Sequence, residues 1–398
     1  MPVTLEKIPG QEERVILNMG PQHPSTHGVL RLVLELEGET VVRSLYDIGY
    51  LHTGFEKSFE AKTYTQCITL TDRMDYLAPL SNNLGFCLAT EKLLELEIPP
   101  TAQWIRVLLT ELTRIQSHLV WLGSHAIDLG AMSVFLYCFR EREILETIFE
   151  NVAGQRMMTS YFRVGGLAVE PPLGWLKPVE KFVREFPDHL REYEDLLTKN
   201  PIWLERTVGV GKVSAEDAVA IGLSGPSLRG SGVKWDIRKN QPYSSYEKFE
   251  FDVPTRSEGD VYARYLVRLE EMRQSLRIVR QAIDGMPEGR VRANAPHIVM
   301  PDREEMKTSI EGLIYHFKLV TEGFHPPIGE VYQAIESPRG ELGFYMVSDG
   351  SPKPFRCHVR APSFANLQSL GKMIEGRLIA DVVACIGSID IILGEVDR

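Results

Sequence analysis

Two histidines near the start of the chain stand in a stretch whose residue types can transfer protons or bind a metal. The stretch from Asn18 to Arg31 reads NMGPQHPSTHGVLR and contains His23 and His27. An imidazole can gain or lose a proton near neutral pH. Two prolines and two glycines predict a tight loop rather than a helix. Because the two imidazoles would then not share a helical face, the spacing argues against a zinc site, and simple turn chemistry is the structural alternative.

The elements on either side of this loop must hold it in place. Leucines at positions 30, 32, 34 and 36 alternate with polar residues and predict a strand. A turn at Gly38 leads into a second predicted strand that begins at Val41. A loop with titratable groups on a rigid strand is a common place for a functional site.

Composition describes a large globular protein and excludes several classes of function. The 398 residues are 43% hydrophobic and 25% charged, with a net charge of −10. The negative charge argues against binding nucleic acid. The longest apolar run, residues 131–139, is about half of what a membrane helix needs, and the first residues do not look like a signal peptide, so a cytoplasmic location is expected. The five cysteines form no CxxC pair, which predicts neither a disulfide framework nor a self-contained iron–sulfur or zinc site.

The rest of the pattern is mainly helical. A 3.6-residue apolar period predicts a long helix over 101–127, and a second follows over 131–153. Thr71 and Asp72 are expected to cap a helix that runs to about Glu95. Further helices are predicted at about 56–64, 177–198, 256–284, 303–321 and 364–386.

These elements predict a mostly helical α+β fold with three regions. An N-terminal β region over 1–60 carries the loop, and a helical bundle core occupies 61–290, decorated by long loops and short strands within 154–256. A C-terminal α+β region over 291–398 contains a three-strand meander and a tail. Since no nucleotide-binding, serine-hydrolase or zinc-protease motif is present, the residues alone do not name a reaction.

Blocks of sequence along nearly the whole chain resemble the D-type subunit of bacterial respiratory complex I, the NADH-quinone oxidoreductase. They include GPQHPSTHGVLR near the start, DRMDY at residues 72–76 and GEVDR at the end. The matching blocks cover residues 20–31, 49–57, 72–76, 111–119, 139–143, 315–318, 322–327, 336–341, 347–350, 360–364 and 394–398.

That family is similar in fold to the large subunit of nickel–iron hydrogenases, so the resemblance implies a hydrogenase-like helical bundle. Hydrogenases bind their metals with two paired-cysteine motifs, one near each end of the chain. Here Cys67 stands alone in the first region, and the segment from Ser388 to Gly394 has no cysteine. Without paired thiolates a bridged metal pair cannot form. The resemblance then implies that the vacated cavity holds a quinone headgroup.

The resemblance also assigns roles to individual residues. A quinone that takes up two electrons needs two proton donors, and the matching positions are His27 and Tyr76. Asp128 matches the acid that pairs with the loop histidine and orients it. The structural alternatives are a turn histidine, a core tyrosine and a solvent-facing acid. The predicted cavity wall consists of Leu393, Gly394 and Val396, for which a plain packed tail is the alternative.

Two further residues match positions beside the terminal iron–sulfur cluster, which a partner subunit carries. They are Arg73 and His118; cationic or donor groups there would stabilise the reduced cluster. The alternatives are an exposed salt bridge and a histidine on a helix face. Cys67 and Cys87 are interpreted as small buried hydrophobic residues.

The resemblance therefore predicts a peripheral-arm subunit of a proton-translocating complex at the cytoplasmic face of a bacterial membrane. It would bind no redox cofactor itself, with NADH, FMN and the iron–sulfur clusters in partner subunits and quinone as substrate. The expected partners are the B-, C-, I- and H-type subunits. The alternatives are a complex fed by ferredoxin or another donor and using plastoquinone or menaquinone, a non-catalytic scaffold, and a metallohydrolase that uses His23 and His27.

Overall fold

The computed structural model describes residues 4–7 and 14–398, and helices dominate it. The strands are β1 (Thr4–Lys7), β2 (Arg14–Met19), β3 (Arg31–Glu37), β4 (Thr40–Asp47), β5 (Phe162–Arg163), β6 (Gly166–Leu167), β7 (Gly329–Ser337), β8 (Gly340–Ser348) and β9 (Arg356–Arg360). The helices are α1 (Phe55–Ala61), α2 (Tyr64–Met74), α3 (Pro79–Leu93), α4 (Pro100–Asp128), α5 (Met132–Ala153), α6 (Leu176–Leu197), α7 (Pro201–Thr207), α8 (Ala215–Ile221), α9 (Gly225–Arg229), α10 (Ile237–Asn240), α11 (Val261–Gly285), α12 (Arg303–Thr308), α13 (Ile310–Thr321), α14 (Pro362–Leu367), α15 (Leu370–Ile374), α16 (Ile379–Ile389) and α17 (Leu393–Asp397). This is the mostly helical α+β class that the sequence predicts.

The N-terminal sheet is antiparallel and joins its strands in chain order, β1-β2-β3-β4. The alternating leucines of β3 all point into the core, as the sequence predicts, because successive side chains of a strand face opposite sides. Leu34 pairs with Leu17 on β2, a strand that the sequence analysis did not predict. The sheet thus fixes the start of the histidine loop between β2 and β3.

The helical core is built on α4, which confirms the predicted long helix. Its apolar period buries one whole stripe, including Leu108, Leu112, Ile115 and Leu119. A fully buried leucine contributes about 2 kcal/mol through removal of apolar surface from water. A three-residue turn leads into α5, so the two helices pack side by side, and α11 packs on another face of α4.

The described residues form two apolar cores. The larger core joins α2–α5, α6 and α11 to the β7–β8 hairpin. The smaller core joins the N-terminal sheet to α15, α16 and α17. Each core contains residues from more than one of the regions 1–60, 61–290 and 291–398, and that division remains a prediction.

The β-meander is confirmed, with β7, β8 and β9 paired in order, but several helix boundaries were predicted wrongly. Thr71 and Asp72 do not cap a helix; they are buried inside α2, whose cap is Thr63 in a capping box with Gln66. The predicted helix 303–321 is divided at Ser309, which caps α13.

Two other predictions for the second half of the chain are also wrong. The predicted helix 364–386 is three helices, α14, α15 and α16. The segment 205–256, for which short strands were predicted, contains α8, α9, α10 and a 3-10 turn at Tyr246–Lys248. Among the described residues, no helix combines the length and the apolar character needed to cross a membrane.

Candidate functional site

The histidine loop is a short closed turn, as its prolines and glycines predict. A 3-10 turn over Pro24–Thr26 begins at His23, whose Nδ1 accepts a hydrogen bond from the backbone N–H of Ser25 at 3.2 Å. His27 follows in the left-handed region with φ of +50°, and Gly28 bridges back to His23. The side chain of His23 thus stabilises the turn through its hydrogen bond, whereas the side chain of His27 takes no part in the turn.

His27 and Asp128 lie next to each other although they come from different elements. Nε2 of His27 is 3.0 Å from Oδ2 of Asp128, and both side chains are nearly buried, at 13% and 12% exposure. The carboxylate oxygen lies off the direction of an Nε2–H bond, since the contact does not meet hydrogen-bond geometry. The pair is therefore an ion-pair contact whose strength depends on protonation of the imidazole. Asp128 is the last residue of α4, where the sequence had placed it just beyond the helix end.

Tyr76 lies at the corner between α2 and α3. Asp75 shapes this corner because its Oδ1 accepts hydrogen bonds from the backbone N–H groups of Leu77 and Ala78, at 3.1 and 3.2 Å. The Tyr76 side chain is half-buried. Burial raises the pKa of Tyr76 above its ordinary value, and the negative charge of Asp75 raises it further. The phenol thus keeps its proton at neutral pH and can act as a hydrogen-bond or proton donor.

Helix α17 lies between the histidine loop and Tyr76. A Cβ placed on Gly28 would be 3.3 Å from Cδ1 of Leu393, and one placed on Gly394 would be 3.4 Å from Cε1 of Tyr76. Leu393 and Val396 are buried in the smaller core. The structure therefore brings the three predicted wall residues, the loop and the tyrosine into one neighbourhood.

A cavity of about 550 Å³ with a mixed polar and apolar lining lies elsewhere on the chain. Ile68, Leu167, Ile298, Met300 and Phe324 are among its lining residues. None of the predicted donor or wall residues lines it. This cavity is therefore not the headgroup cavity that the resemblance implies.

Arg73 and His118 occupy very different environments. Arg73 is exposed on α2, where its Nη1 donates to the backbone oxygen of Thr69 at 2.7 Å. His118 is fully buried on α4, with Nε2 3.0 Å from Oε2 of Glu271 on α11. Burial lowers the pKa of His118 below its ordinary value, although Glu271 opposes this shift. The structure shows no contact between the two residues; Arg73 is open to a partner, whereas His118 is covered by this chain.

His118 belongs to a buried ionic network that the sequence analysis missed. Glu271 accepts a hydrogen bond from Arg229 at 2.7 Å, and the same guanidinium donates to Glu336 at 2.7 Å. Burial alone would raise the pKa of Glu271, but Arg229 and His118 lower it below its usual range. Arg114 continues the network by donating to the backbone oxygen of Glu336 at 2.6 Å.

One signal in the sequence could have revealed this network. Glu111, Arg114 and His118 recur at intervals of three and four on α4, which places three ionisable groups on one stripe of the helix. Such groups need buried partners, because an unpaired buried charge is costly. The partners themselves lie on distant segments and cannot be read from spacing.

The described residues contain no group of three or more His, Cys, Asp or Glu side chains arranged to hold a metal ion. Cys67 is buried, and its Sγ lies near the backbone oxygens of Phe59 and Lys62, at 3.7 and 3.6 Å. Cys87 is also buried. Both cysteines belong to the larger apolar core, as the sequence predicts.

The fold and this site define a mostly helical α+β protein in which a histidine loop and a tyrosine lie against a short C-terminal helix. Comparison with known proteins gives the family. Residues 128–398 match the family model described as respiratory-chain NADH dehydrogenase, 49 Kd subunit. The chain belongs to this family.

Bacterial relatives are similar in sequence to this chain along almost its full length. The chain is 67% identical to a D-type subunit of the NADH-quinone oxidoreductase of Solibacter usitatus (strain Ellin6076), covering 97% of this chain and 94% of the relative. It is 57% identical to the D-type subunit of the NADH-quinone oxidoreductase of Geotalea uraniireducens (strain Rf4), covering 97% of this chain and 99% of the relative. These relatives are subunits of an oxidoreductase complex, complex I.

Proposed function

We propose that this chain forms the quinone site of a proton-translocating NADH:quinone oxidoreductase and delivers protons to the reduced headgroup. The observation that carries the proposal is that the loop of His27, through Gly28, and Tyr76 both lie against α17. An imidazole and a phenol are suited to donate to the two oxygens of one quinone. The names of the relatives, which contain both NADH and quinone, support the same reaction.

Each site residue has a role in this proposal. His27 donates to one quinone oxygen and Tyr76 to the other. Asp128, 3.0 Å from the imidazole, orients His27. The apolar wall that excludes water is assigned to Leu393, Gly394 and Val396.

The electrons come from an iron–sulfur cluster that we assign to the B-type partner subunit. Arg73 is exposed and can approach that cluster directly. His118 is fully buried and acts on the cluster through space, held by Glu271. A neutral imidazole that can take up a proton favours the gain of an electron nearby.

The assembly follows from the same proposal. The chain is a peripheral subunit at the cytoplasmic side of the bacterial membrane, in contact with subunits of the B, C, I and H types. NADH and FMN are bound by other subunits, and the chain holds no redox cofactor of its own.

Tyr76→Phe tests the proposal because it keeps the ring and removes only the hydroxyl. Loss of one proton donor costs on the order of 3 kcal/mol of barrier, or about two decades in rate. We expect quinone reductase activity of the assembled complex to fall by about that factor. NADH oxidation with an artificial acceptor, which does not use the quinone site, should persist and serves as the assembly control. If both activities stay near wild type, Tyr76 is structural and the scaffold alternative is favoured.

A further inference from the structure

Three buried carboxyl groups surround one arginine directly behind Tyr76. Arg339, at the tip of the β7–β8 hairpin, donates to Asp75 at 2.6 Å and to Asp390 at 3.4 Å. Glu395 on α17 is the third acid and acts electrostatically on both Arg339 and Asp75. All four side chains are at least 94% buried. We refer to Asp75, Asp390, Glu395 and Arg339 as the carboxyl cluster.

The charges of the carboxyl cluster do not balance. Three ionised acids would face the guanidinium of Arg339 and that of Arg268, which lies close enough to Asp390 to interact with it. An uncompensated buried carboxylate is unstable, so one acid retains its proton. Burial, together with the charge of Asp75, raises the pKa of Glu395 to about 7, although Arg339 opposes the shift. Burial also raises the pKa of Asp75.

The hydrogen bonds independently indicate that Glu395 can hold a proton. Its Oε1 accepts from the backbone N–H of Ser363 at 2.9 Å. Its Oε2 is buried and has no partner in the described part of the chain, and the same is true of Oδ2 of Asp390 and Nε of Arg339. A buried oxygen without a partner costs more free energy when it is ionised than when it is neutral, which favours a protonated Glu395 carboxyl.

The carboxyl cluster is adjacent to the candidate proton donor. Asp75 precedes Tyr76, and Gly394, next to Glu395, packs against the tyrosine ring. The titratable groups that interact with Glu395 are Asp75 and Tyr76, which follow α2, and Arg339 at the hairpin tip. Asp390, which follows α16, is bonded to Arg339. Helix α14, which also packs on α17, has no titratable side chain and contributes only Ser363.

We propose that the carboxyl cluster returns a proton to Tyr76 after the tyrosine has given its own proton to the quinone. Glu395 is the positioning residue that holds this proton. This rests on the proposed function. When electrons from the partner's iron–sulfur donor reduce the quinone, the O–H bond of Tyr76 breaks and a new O–H bond forms on a quinone oxygen. The O–H bond of the Glu395 carboxyl then breaks and its proton restores the tyrosine hydroxyl. The Glu395 carboxylate takes up a proton from solvent, which completes the balance.

The test measures the pH profile of quinone reductase activity in the assembled complex. In wild type the rate should fall as pH rises through about 7, because Glu395 loses the proton that it must supply. Glu395→Gln keeps the shape and the bond from Ser363 but cannot carry a proton. At acidic pH its rate should be on the order of a hundredfold lower, and the falling limb should be absent. Glu395→Asp retains an acid and should restore the limb.

The matched control is Glu141→Gln, which neutralises another buried acid, 1% exposed and on α5. Its profile should match wild type, and artificial-acceptor NADH oxidation reports assembly for every variant. The proposal is overturned if the pH profile of Glu395→Gln keeps the falling limb of wild type. It is also overturned if the wild-type profile has no falling limb, a measurement that does not depend on a variant assembling. If Tyr76→Phe loses activity while Glu395→Gln behaves as wild type, only the relay is wrong. If Tyr76→Phe is also unaffected, the proposed function fails as well.

Discussion

At the scale of single residues, the contact between His27 and Asp128 is what turns a loop histidine into a candidate proton donor. A histidine in a turn is ordinarily satisfied by nearby backbone groups, as His23 is here. His27 instead meets a carboxylate from the end of another element. A partner that fixes the orientation of an imidazole is a common feature of working histidines.

Asp128→Asn should therefore weaken quinone reduction without preventing assembly. The amide keeps the size of the side chain but loses the charge that contacts and orients His27. We expect the quinone reductase rate to fall about tenfold, as for other residues that orient a working histidine. The measurement is the quinone reductase rate relative to artificial-acceptor NADH oxidation. Asp195→Asn, an exposed acid on α6, is the control and should leave the ratio unchanged; an unchanged ratio for Asp128→Asn would contradict the role of the pair.

The sequence predicted the neighbourhood of some site residues but not of others. The resemblance placed His27, Tyr76 and Asp128 on matching blocks, and the structure brings His27 to Asp128 and places Tyr76 beside α17. The burial of His118 against Glu271 was not predictable, because its partner lies on α11, far away in sequence. Periodicity shows that a position faces inward but does not show which group it meets.

At the scale of elements, α16 packs closely on α4 and also contacts the 3-10 turn of the histidine loop. The indole Nε1 of Trp121 donates to the backbone oxygen of Gly387 at 2.6 Å. A Cβ on Gly387 would lie 2.2 Å from Nδ1 of His125, which stacks on Trp121. The two helices can therefore approach this closely only because position 387 has no side chain.

Gly387→Ala should destabilise the assembled subunit. The added methyl group must displace the buried ring of His125, and overpacking of a core costs about 1–3 kcal/mol. We expect less assembled complex and a lower temperature of thermal inactivation. Gly123→Ala is the matched control, because it is also buried in a helix but its new Cβ would have no neighbour closer than 3.4 Å. The steric account would be wrong if the two variants were equally stable.

Elements with strong internal patterns were predicted well, and elements set by distant contacts were not. The apolar stripe of α4 is a property of its own sequence, which is why its boundaries were nearly right. The break between α15 and α16 has another origin. There the backbone of Gly376 and Arg377 bonds to Val41 of β4, with Gly376 N to Val41 O at 2.7 Å. A strand from the other end of the chain replaces the helical hydrogen bonds, and no local pattern signals that.

At the scale of the whole molecule, the two cores enclose all five thiols. Burial raises the pKa of Cys67, Cys87 and Cys385 to about 12. Only a thiolate reacts rapidly with alkylating reagents. The cysteines of this chain thus act as packing residues, in keeping with the absence of paired-cysteine motifs in the sequence.

Differential alkylation checks this arrangement. In the native complex at pH 8, cysteines 67, 87, 138, 357 and 385 should resist iodoacetamide. After denaturation all five should be modified, since none is in a disulfide. Peptide mapping by mass spectrometry distinguishes the sites, and the denatured sample is the positive control. Rapid labelling of any one of them in the native complex would show that its core opens readily.

The tip of the β7–β8 hairpin has a consequence for interpreting genetic variants. Glu336 belongs to the ionic network of His118, whereas Arg339, three residues later, belongs to the carboxyl cluster behind Tyr76. Substitutions elsewhere are expected to fall into two phenotypic classes. One class alters the midpoint potential of the partner subunit's iron–sulfur cluster, and the other slows quinone turnover. Substitutions that shift the backbone between Glu336 and Arg339 should produce both phenotypes at once. A variant there cannot be assigned to either class from one assay, and its severity would be underestimated by whichever assay was chosen.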